Sequence, residues 1–165
     1  MVFESVFRAY ALALVDFSAS YLQSRDAAEE IVQDLFTWLW ANRHDFNPQS
    51  GLRPYFFSAV RNRSLNALRN DATAAGAAEW MAHAAIADAT PADAELMASD
   101  LEAAIEATVG SMPARCREVF LLVRTQSLSY AEVAAILGIA PKTVAAHMTH
   151  AHALLRARLG PWLNG

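Results

Sequence analysis

Two helices joined by a tight turn are predicted by the sequence SLSYAEVAAILGIAPKTVAAHMTHAHALLRARL (Ser127–Leu159). Ser129 stands three residues before Glu132, the spacing at which two side chains cap a helix start reciprocally. Gly138 follows the last apolar residue of the first helix and can take the left-handed conformation that ends it. Pro141 suits the first turn of the second helix, where its missing N–H leaves no hydrogen bond unmade.

The second helix of this pair has two different faces. Four apolar residues recur at helical spacing and predict a buried stripe: Val144, Met148, Ala151 and Leu155. The opposite face carries Lys142, Thr143, His147, His150 and Arg156. The pattern predicts a helix-turn-helix, whose second helix normally enters the major groove of DNA. The alternative is a pair of core helices, but the cap, the turn glycine and the helix-opening proline together favour DNA binding.

Composition predicts an all-α protein. The chain has 165 residues, of which 55% are hydrophobic, and only six Gly and six Pro interrupt sequences rich in helix-forming residues. Cys116 is the only cysteine, which excludes an intrachain disulfide. Because it lies among apolar residues, we expect Cys116 to be a small core residue.

The net charge of −4 is unexpected for a DNA-binding protein, since phosphate contacts need cations. The charge is segregated along the chain. Residues 71–107 hold eight acidic residues and no Lys or Arg, whereas residues 108–165 hold six basic residues and two acidic ones. An acidic middle segment therefore masks a basic C-terminal segment.

Two small helical domains joined by an acidic linker are the predicted organisation. The boundaries are an N-terminal helical domain at 1–70, an alanine-rich acidic linker at 71–90 and a helix-turn-helix domain at 91–165. The N-terminal domain is predicted to have three helices, Phe3–Leu22, one starting near Asp26 and one starting near Pro54. The linker is either a partly helical spacer or an acidic segment that folds onto a partner or a basic face.

The run DAAEEIVQDLFTWLWANRHDFNPQSGLRPYFFSAVRNRSLNALRN (26–70) resembles the second conserved region of bacterial extracytoplasmic-function sigma factors. Residues 112–159 resemble the fourth region of the same family, and the two regions occur in the family's order. The resemblance implies an alternative sigma factor, which binds core RNA polymerase, directs it to specific promoters and helps to melt them. It also implies three partners: core RNA polymerase, promoter DNA and an anti-sigma factor.

The resemblance implies a polymerase-binding helix at Asp26–Trp40, which in the family packs on the clamp helices of the largest polymerase subunit. It places Glu30, Gln33, Asp34 and Trp38 at a protein–protein surface. The alternative is a solvated acidic face. In either case we expect one of the two tryptophans, Trp38 or Trp40, to lie in the core.

The loop Asp45–Gly51 and the start of the following helix match the family's promoter-melting segment. Holding a single strand requires aromatic surfaces for unstacked bases and cations for phosphates. The groups implied for this role are Phe46, Asn47, Arg53, Tyr55 and Phe57, of which the last two are equally compatible with the core. The residues implied for reading the −10 element are Arg61, Asn62, Asn66 and Arg69. Asn66 replaces the usual aspartate and Asn70–Ala72 replaces the usual basic run, so we expect weaker phosphate binding there.

For the −35 element the resemblance implies Lys142, Thr143, His147, His150 and Arg156. Family members commonly have Arg or Lys where this chain has Ala145, Ala146, His147 and His150. Neutral histidine neutralises no phosphate, whereas protonated histidine is both a donor and a cation. We therefore expect modest promoter affinity that rises as the pH falls below about 6.5.

Other functional classes fit the sequence less well. A stand-alone helix-turn-helix transcriptional regulator that does not act through core polymerase is the alternative, but it has no need of an acidic polymerase-facing helix. No phosphate-binding glycine loop or nucleophile elbow is present, so we expect no enzymatic activity and no cofactor. His147, His150 and His152 lack a nearby cysteine or carboxylate, so we expect no metal site. The sequence lacks a membrane-length apolar run, and we expect a cytoplasmic protein without membrane insertion.

Overall fold

Helices account for nearly all of residues 2–71 and 96–163, which the computed structural model describes. These ranges contain seven α-helices and no strand, which confirms the all-α prediction. The helices are α1 (Val2–Leu22), α2 (Arg25–Ala41), α3 (Leu52–Asp71), α4 (Leu96–Gly110), α5 (Ala114–Phe120), α6 (Tyr130–Leu137) and α7 (Pro141–Leu163). A π-helical turn (Leu121–Thr125) follows α5. The predicted acidic linker, from residue 72 onward, lies outside the described residues.

The chain divides into two compact units. The first comprises α1–α3 together with Ala135–Gly138, and the second comprises α4, α5, α7 and the first part of α6. In the first unit, α1 packs against both α2 and α3. The largest fully buried side chains there are Tyr21, Phe17, Phe56, Phe57, Leu14 and Leu35. Rings from different helices meet edge to face, with 5.2 Å between the ring centres of Phe17 and Phe57. The hydroxyls of Ser18 and Ser64 share a buried hydrogen bond of 2.9 Å, which joins α1 to α3.

The starts of α2 and α3 follow from local chemistry. Ser24 has an extended backbone, and its hydroxyl accepts a hydrogen bond from the N–H of Ala27 at 3.3 Å, which caps α2. Gly51 has φ +87°, a conformation that L residues with a side chain rarely adopt, and its carbonyl accepts the N–H of Tyr55 at 3.3 Å. Both predicted helix starts are confirmed within two residues.

In the second unit, α4 and α5 pack against α7 around a core that includes Met112, Cys116 and Ala151. Cys116 is 1% exposed, so its prediction as a core residue is confirmed. Burial raises the pKa of the Cys116 thiol above its ordinary value, because the charged thiolate loses its hydration.

The helix-turn-helix has the predicted capping and turn chemistry. The Ser129 N–H donates to Glu132 Oε2 at 2.7 Å, and the Glu132 N–H donates to Ser129 Oγ at 3.2 Å. Gly138 has φ +64°, and α7 begins at Pro141. Val144, Met148 and Ala151 are buried and Leu155 is half-buried, as the stripe predicted. Helix α5 ends at Phe120 and widens into the π-helical turn Leu121–Thr125.

Candidate nucleic-acid interface

The outward face of α7 carries every residue predicted for upstream promoter DNA. Lys142, Thr143, His150 and Arg156 are exposed, and His147 is half-buried. Residues 141–163 contain no Asp or Glu, so no carboxylate on α7 offsets these cations. Because a recognition helix must approach a polyanion closely, this charge balance suits a helix that lies in a DNA groove.

A cavity of about 250 Å³ lies where α2 ends and α3 begins. We call it the aromatic cavity, and it is lined by Trp38, Asn42, Asp45, Phe46, Asn47, Pro48 and Tyr55. The ring centres of Phe46 and Tyr55 are 4.9 Å apart, and those of Trp38 and Phe46 are 6.3 Å apart. Three residues predicted for promoter melting, Phe46, Asn47 and Tyr55, therefore meet around one opening.

Backbone and side-chain hydrogen bonds form the rim of the aromatic cavity. The N–H of Asn42 donates to the carbonyl of Trp38 at 3.0 Å, and its side-chain amide donates to the same oxygen at 2.8 Å. The N–H of Gly51 donates to the carbonyl of Pro48 at 3.2 Å. These bonds end α2 and close the loop that leads to α3, so the aromatic rings are mounted on turns rather than on a long free loop.

Sequence reasoning missed part of this lining. Asn42, Asp45 and Pro48 are not among the individual residues predicted to contact DNA, and Trp38 is predicted as a polymerase contact or a core residue. The sequence signal that could have found them is the cluster of turn-forming residues directly after an aromatic helix end.

Phe57 is a correction to the predicted DNA-contacting set. It is 1% exposed and packs on Phe17 of α1. Tyr55 and Phe57, two residues apart on α3, differ because they face different sides of the helix: Phe57 packs on α1, whereas Tyr55 lines the aromatic cavity. The prediction that Phe57 contacts DNA is therefore wrong.

Polar residues continue from the aromatic cavity along α3. Asn62, Asn66 and Arg69 are exposed and spaced at i, i+4 and i+7, which places them on one face of the helix. Arg53 and Arg61 are half-buried. The face offers two amides and one cation, so it can hydrogen-bond bases but neutralises few phosphates.

The outward face of α2 is acidic and exposed. Glu30, Gln33 and Asp34 all lie on it, and Asp34 is one turn before Trp38. The core positions of α2 are taken by Ala28, Val32, Leu35, Phe36 and Leu39. Consequently neither tryptophan is in the core: Trp38 is 42% exposed and Trp40 is 52% exposed. The prediction that one of them is a core residue is wrong.

An aromatic groove beside this face was not predicted. It has a volume of about 380 Å³ and is lined by Phe3, Phe7, Gln33, Phe36, Thr37 and Trp40. The ring centres of Phe3 and Trp40 are 5.0 Å apart, and the Arg43 guanidinium lies 4.5 Å from the centre of the Trp40 ring. Trp40 is therefore held between an aromatic ring and a cation while one side stays exposed.

Two other kinds of site are absent from the described residues. Within them, no three His, Cys, Asp or Glu side chains lie together in a way that could hold a metal ion. Among the helices described, none has the length and apolar character needed to cross a bilayer.

Comparison with known proteins identifies the family. The family model for Sigma-70 region 2 matches residues 6–73, and the model for Sigma-70 region 4 matches residues 102–155. The chain is 28% identical over 157 residues to the RNA polymerase sigma factor CnrH of Cupriavidus metallidurans, covering 91% of this chain and 82% of that protein. It is 27% identical over 143 residues to the ECF RNA polymerase sigma factor EcfG of Rhodopseudomonas palustris, covering 87% and 77%. This chain belongs to the extracytoplasmic-function sigma factors.

A solved structure supports the same assignment for the sigma factor. The sigma factor RpoE of Bartonella quintana, determined in complex with the anti-sigma factor NepR, matches with a TM-score of 0.69 and 25% identity. The match covers 96% of both chains. The sigma factor therefore has a relative of the same fold over nearly its whole length.

These findings confirm the predicted family and the predicted function, an alternative sigma factor that directs RNA polymerase to promoters. They do not favour the stand-alone regulator. They also extend the sequence resemblance, because the region 2 match begins at residue 6 and so includes most of α1. Which side chains of the sigma factor contact polymerase, the −10 element or the −35 element stays a prediction.

Proposed function

We propose that this sigma factor uses the outward face of α2 to bind core polymerase, the aromatic cavity with α3 to open and read the −10 element, and α7 to read the −35 element. These roles correspond to a region 2-like domain at 1–70 and a region 4-like domain at 91–165. The observation that carries the proposal is the meeting of Phe46, Asn47 and Tyr55 around an open aromatic cavity.

The aromatic cavity suits an unstacked base. Extruding a base from a duplex costs a few kcal/mol of stacking, which aromatic walls can recover. Trp38, Phe46 and Tyr55 supply such walls, and Asn47 supplies an amide that can hydrogen-bond a base edge. The polar face of α3 then continues away from the cavity with Asn62, Asn66 and Arg69. An opened strand can therefore leave the cavity along a surface that hydrogen-bonds it.

The acidic face of α2 suits a basic partner surface. Glu30 and Asp34 are exposed, and Trp38 adds an aromatic side chain of the type enriched where proteins bind each other. Core polymerase bound here holds the DNA-contacting surfaces near the promoter and raises their effective concentration. Weak binding of the isolated sigma factor to DNA is therefore compatible with its function.

The proposed mechanism is binding rather than catalysis, so the sigma factor needs no cofactor and acts in the cytoplasm, where polymerase meets the promoter. An anti-sigma factor is the proposed regulator. The structural relative from Bartonella quintana was solved with such a partner, and the exposed face of α2 offers a surface that a competitor of polymerase could cover.

Run-off transcription with core polymerase tests the proposal. Core polymerase and the full chain are given templates with a randomised sequence upstream of a fixed transcribed cassette. The templates that yield transcripts identify a promoter sequence for the later experiments. A chain that does not bind core polymerase, or that binds promoter DNA equally well without it, contradicts the proposal. The second result supports a stand-alone regulator instead.

The aromatic cavity is tested on the same promoter. Trp38→Ala and Asn47→Ala should slow promoter opening, followed by 2-aminopurine fluorescence, and the defect should shrink on a template whose −10 region is already unpaired. Trp162→Ala, which truncates an exposed tryptophan of α7, is the matched control. Equal defects on paired and unpaired templates contradict a role for the cavity in melting.

A further inference from the structure

The outward face of α7 lacks the side chains that most often read bases directly. Between Lys142 and Arg156 the helix contains no Arg, Lys, Asn or Gln. Arg and Lys are the usual bidentate partners of guanine, and Asn and Gln are those of adenine. If the middle of this helix contacts bases directly, it must therefore recognise them without these bidentate hydrogen bonds.

The middle of the face offers methyl groups instead. Ala146 and Thr149 are both exposed, on the side of α7 away from the buried Val144, Met148 and Ala151. The hydroxyl of Thr149 donates a hydrogen bond to the carbonyl of Ala145 at 3.0 Å. Since its proton is already used, Thr149 presents a methyl group and acceptor lone pairs to a DNA groove, but no donor.

We propose that α7 reads the 5-methyl groups of two neighbouring thymines in the −35 element, through the side chains of Ala146 and Thr149. The inference rests on the proposed function, because it requires α7 to lie in the major groove. Ala and the Thr methyl are suited to apolar contact with thymine. Residues three apart are separated by about 4.5 Å along a helix axis, close to the spacing of about 3.4 Å between stacked bases.

The other groups of this face have different roles in the proposal. Lys142 and Arg156 stand at the two ends of the segment and contact phosphates, which positions the helix without reading sequence. The exposed His150 lies beside Thr149 and can hydrogen-bond a base or a phosphate. The methyl contacts discriminate the two A·T pairs from other base pairs, because only thymine carries a 5-methyl group in the major groove.

Deoxyuridine substitution tests the proposal, because uracil differs from thymine only by the methyl group. Holoenzyme made of core polymerase and the full chain is used with a promoter selected from templates randomised in the −35 region. Each thymine of the −35 element, on either strand, is then replaced singly by deoxyuridine. At two neighbouring positions we expect promoter binding to weaken roughly three- to fivefold, the scale of one lost apolar carbon contact. Substitution outside the element should have no effect.

Two variants assign the contacts to residues. Thr149→Ser keeps the hydroxyl that donates to Ala145 and removes only the methyl. At one position, the ratio of the promoter affinity with thymine to that with uracil should therefore fall to about one. Ala146→Gly should do the same at the other position. Glycine also loosens the helix, which weakens binding to both templates alike, so the ratio rather than the affinity is the readout. Thr125→Ser and Ala131→Gly, at exposed positions outside α7, are the matched controls and should leave both ratios unchanged.

The possible results are distinguishable. A holoenzyme that selects no promoter overturns the proposed function, and the inference with it. A functional holoenzyme that tolerates deoxyuridine at every position of the −35 element overturns the inference alone and points to reading of DNA shape. Sensitivity to deoxyuridine that persists in both variants overturns the assignment to Ala146 and Thr149.

Discussion

The thiol of Cys116 donates a hydrogen bond to the carbonyl oxygen of His147 at 3.4 Å, which links α5 to the middle of the recognition helix. The contact places a buried side chain of one helix under the backbone that carries the candidate −35 residues. Cys116 lies in the core with Met112 and Ala151, so α7 packs on this core with one face while its opposite face is exposed. The reactivity of this thiol therefore shows whether the second unit is folded.

Cys116 should be protected from alkylation in the folded protein. Burial disfavours the thiolate and raises the thiol pKa above its ordinary value of 9.0, and the thiolate is the reactive form. We expect iodoacetamide to label Cys116 at least tenfold more slowly than a free thiol at pH 8, and unfolding in denaturant to restore the ordinary rate. Rapid labelling without denaturant contradicts the buried position.

The same group predicts how stability depends on pH. Above pH 9 the unfolded chain loses the thiol proton while the folded chain retains it, so the free energy of unfolding falls as the pH rises. The loss is limited to about 1.4 kcal/mol for each unit by which the pKa is raised. Denaturant titrations at pH 7 and pH 10 measure the change in the wild-type protein and in Cys116→Ala. An equal change in both proteins contradicts the prediction.

Gly138 should resist replacement by alanine. A Cβ there meets no atom within 4 Å apart from those of its chain neighbours, so the space around it is open. Gly138 has φ +64°, however, where a Cβ is strained, so Gly138→Ala should lower the free energy of unfolding by about 1–2 kcal/mol. Denaturant titration measures the loss, and an unchanged free energy of unfolding in Gly138→Ala contradicts the left-handed conformation.

The buried pair Ser18 and Ser64 should behave as a coupled unit. Ser18→Ala leaves the Ser64 hydroxyl buried without the partner it has 2.9 Å away, and it should cost about 1–3 kcal/mol. The double alanine variant leaves no buried hydroxyl without a partner. Its free energy of unfolding should therefore fall by less than the sum of the losses in the two single variants. Strict additivity in denaturant titrations contradicts a direct hydrogen bond.

The fold was predictable because its signals are local. The Ser129–Glu132 cap, Gly138 and Pro141 act within a few residues of one another, and each appears in the structure as the sequence predicts. The spacing of apolar residues in α7 likewise identifies its buried face without knowledge of the neighbours.

The candidate site was less predictable because it depends on contacts between elements. Tyr55 and Phe57 are similar aromatics on one helix, and only the position of Phe17 on α1 makes Phe57 a core residue. Trp38 likewise lies beside Phe46, which comes from the loop after α2, and not in the core. Helical spacing carries no information about such partners.

Acidification should strengthen binding of the holoenzyme to −35 DNA. His150 is exposed and His147 is half-buried on α7, and residues 141–163 contain no carboxylate that could pair with a charged imidazole. A protonated histidine adds a cation near the phosphates, so we expect affinity to be severalfold higher in the more acidic buffer. Filter binding at pH 6.0 and pH 7.5 measures the effect. His150→Ala should remove most of it and His147→Ala a smaller part, whereas His44→Ala, an exposed histidine outside α7, is the control. A pH effect that survives in the double variant of His147 and His150 assigns it to other groups and contradicts the prediction.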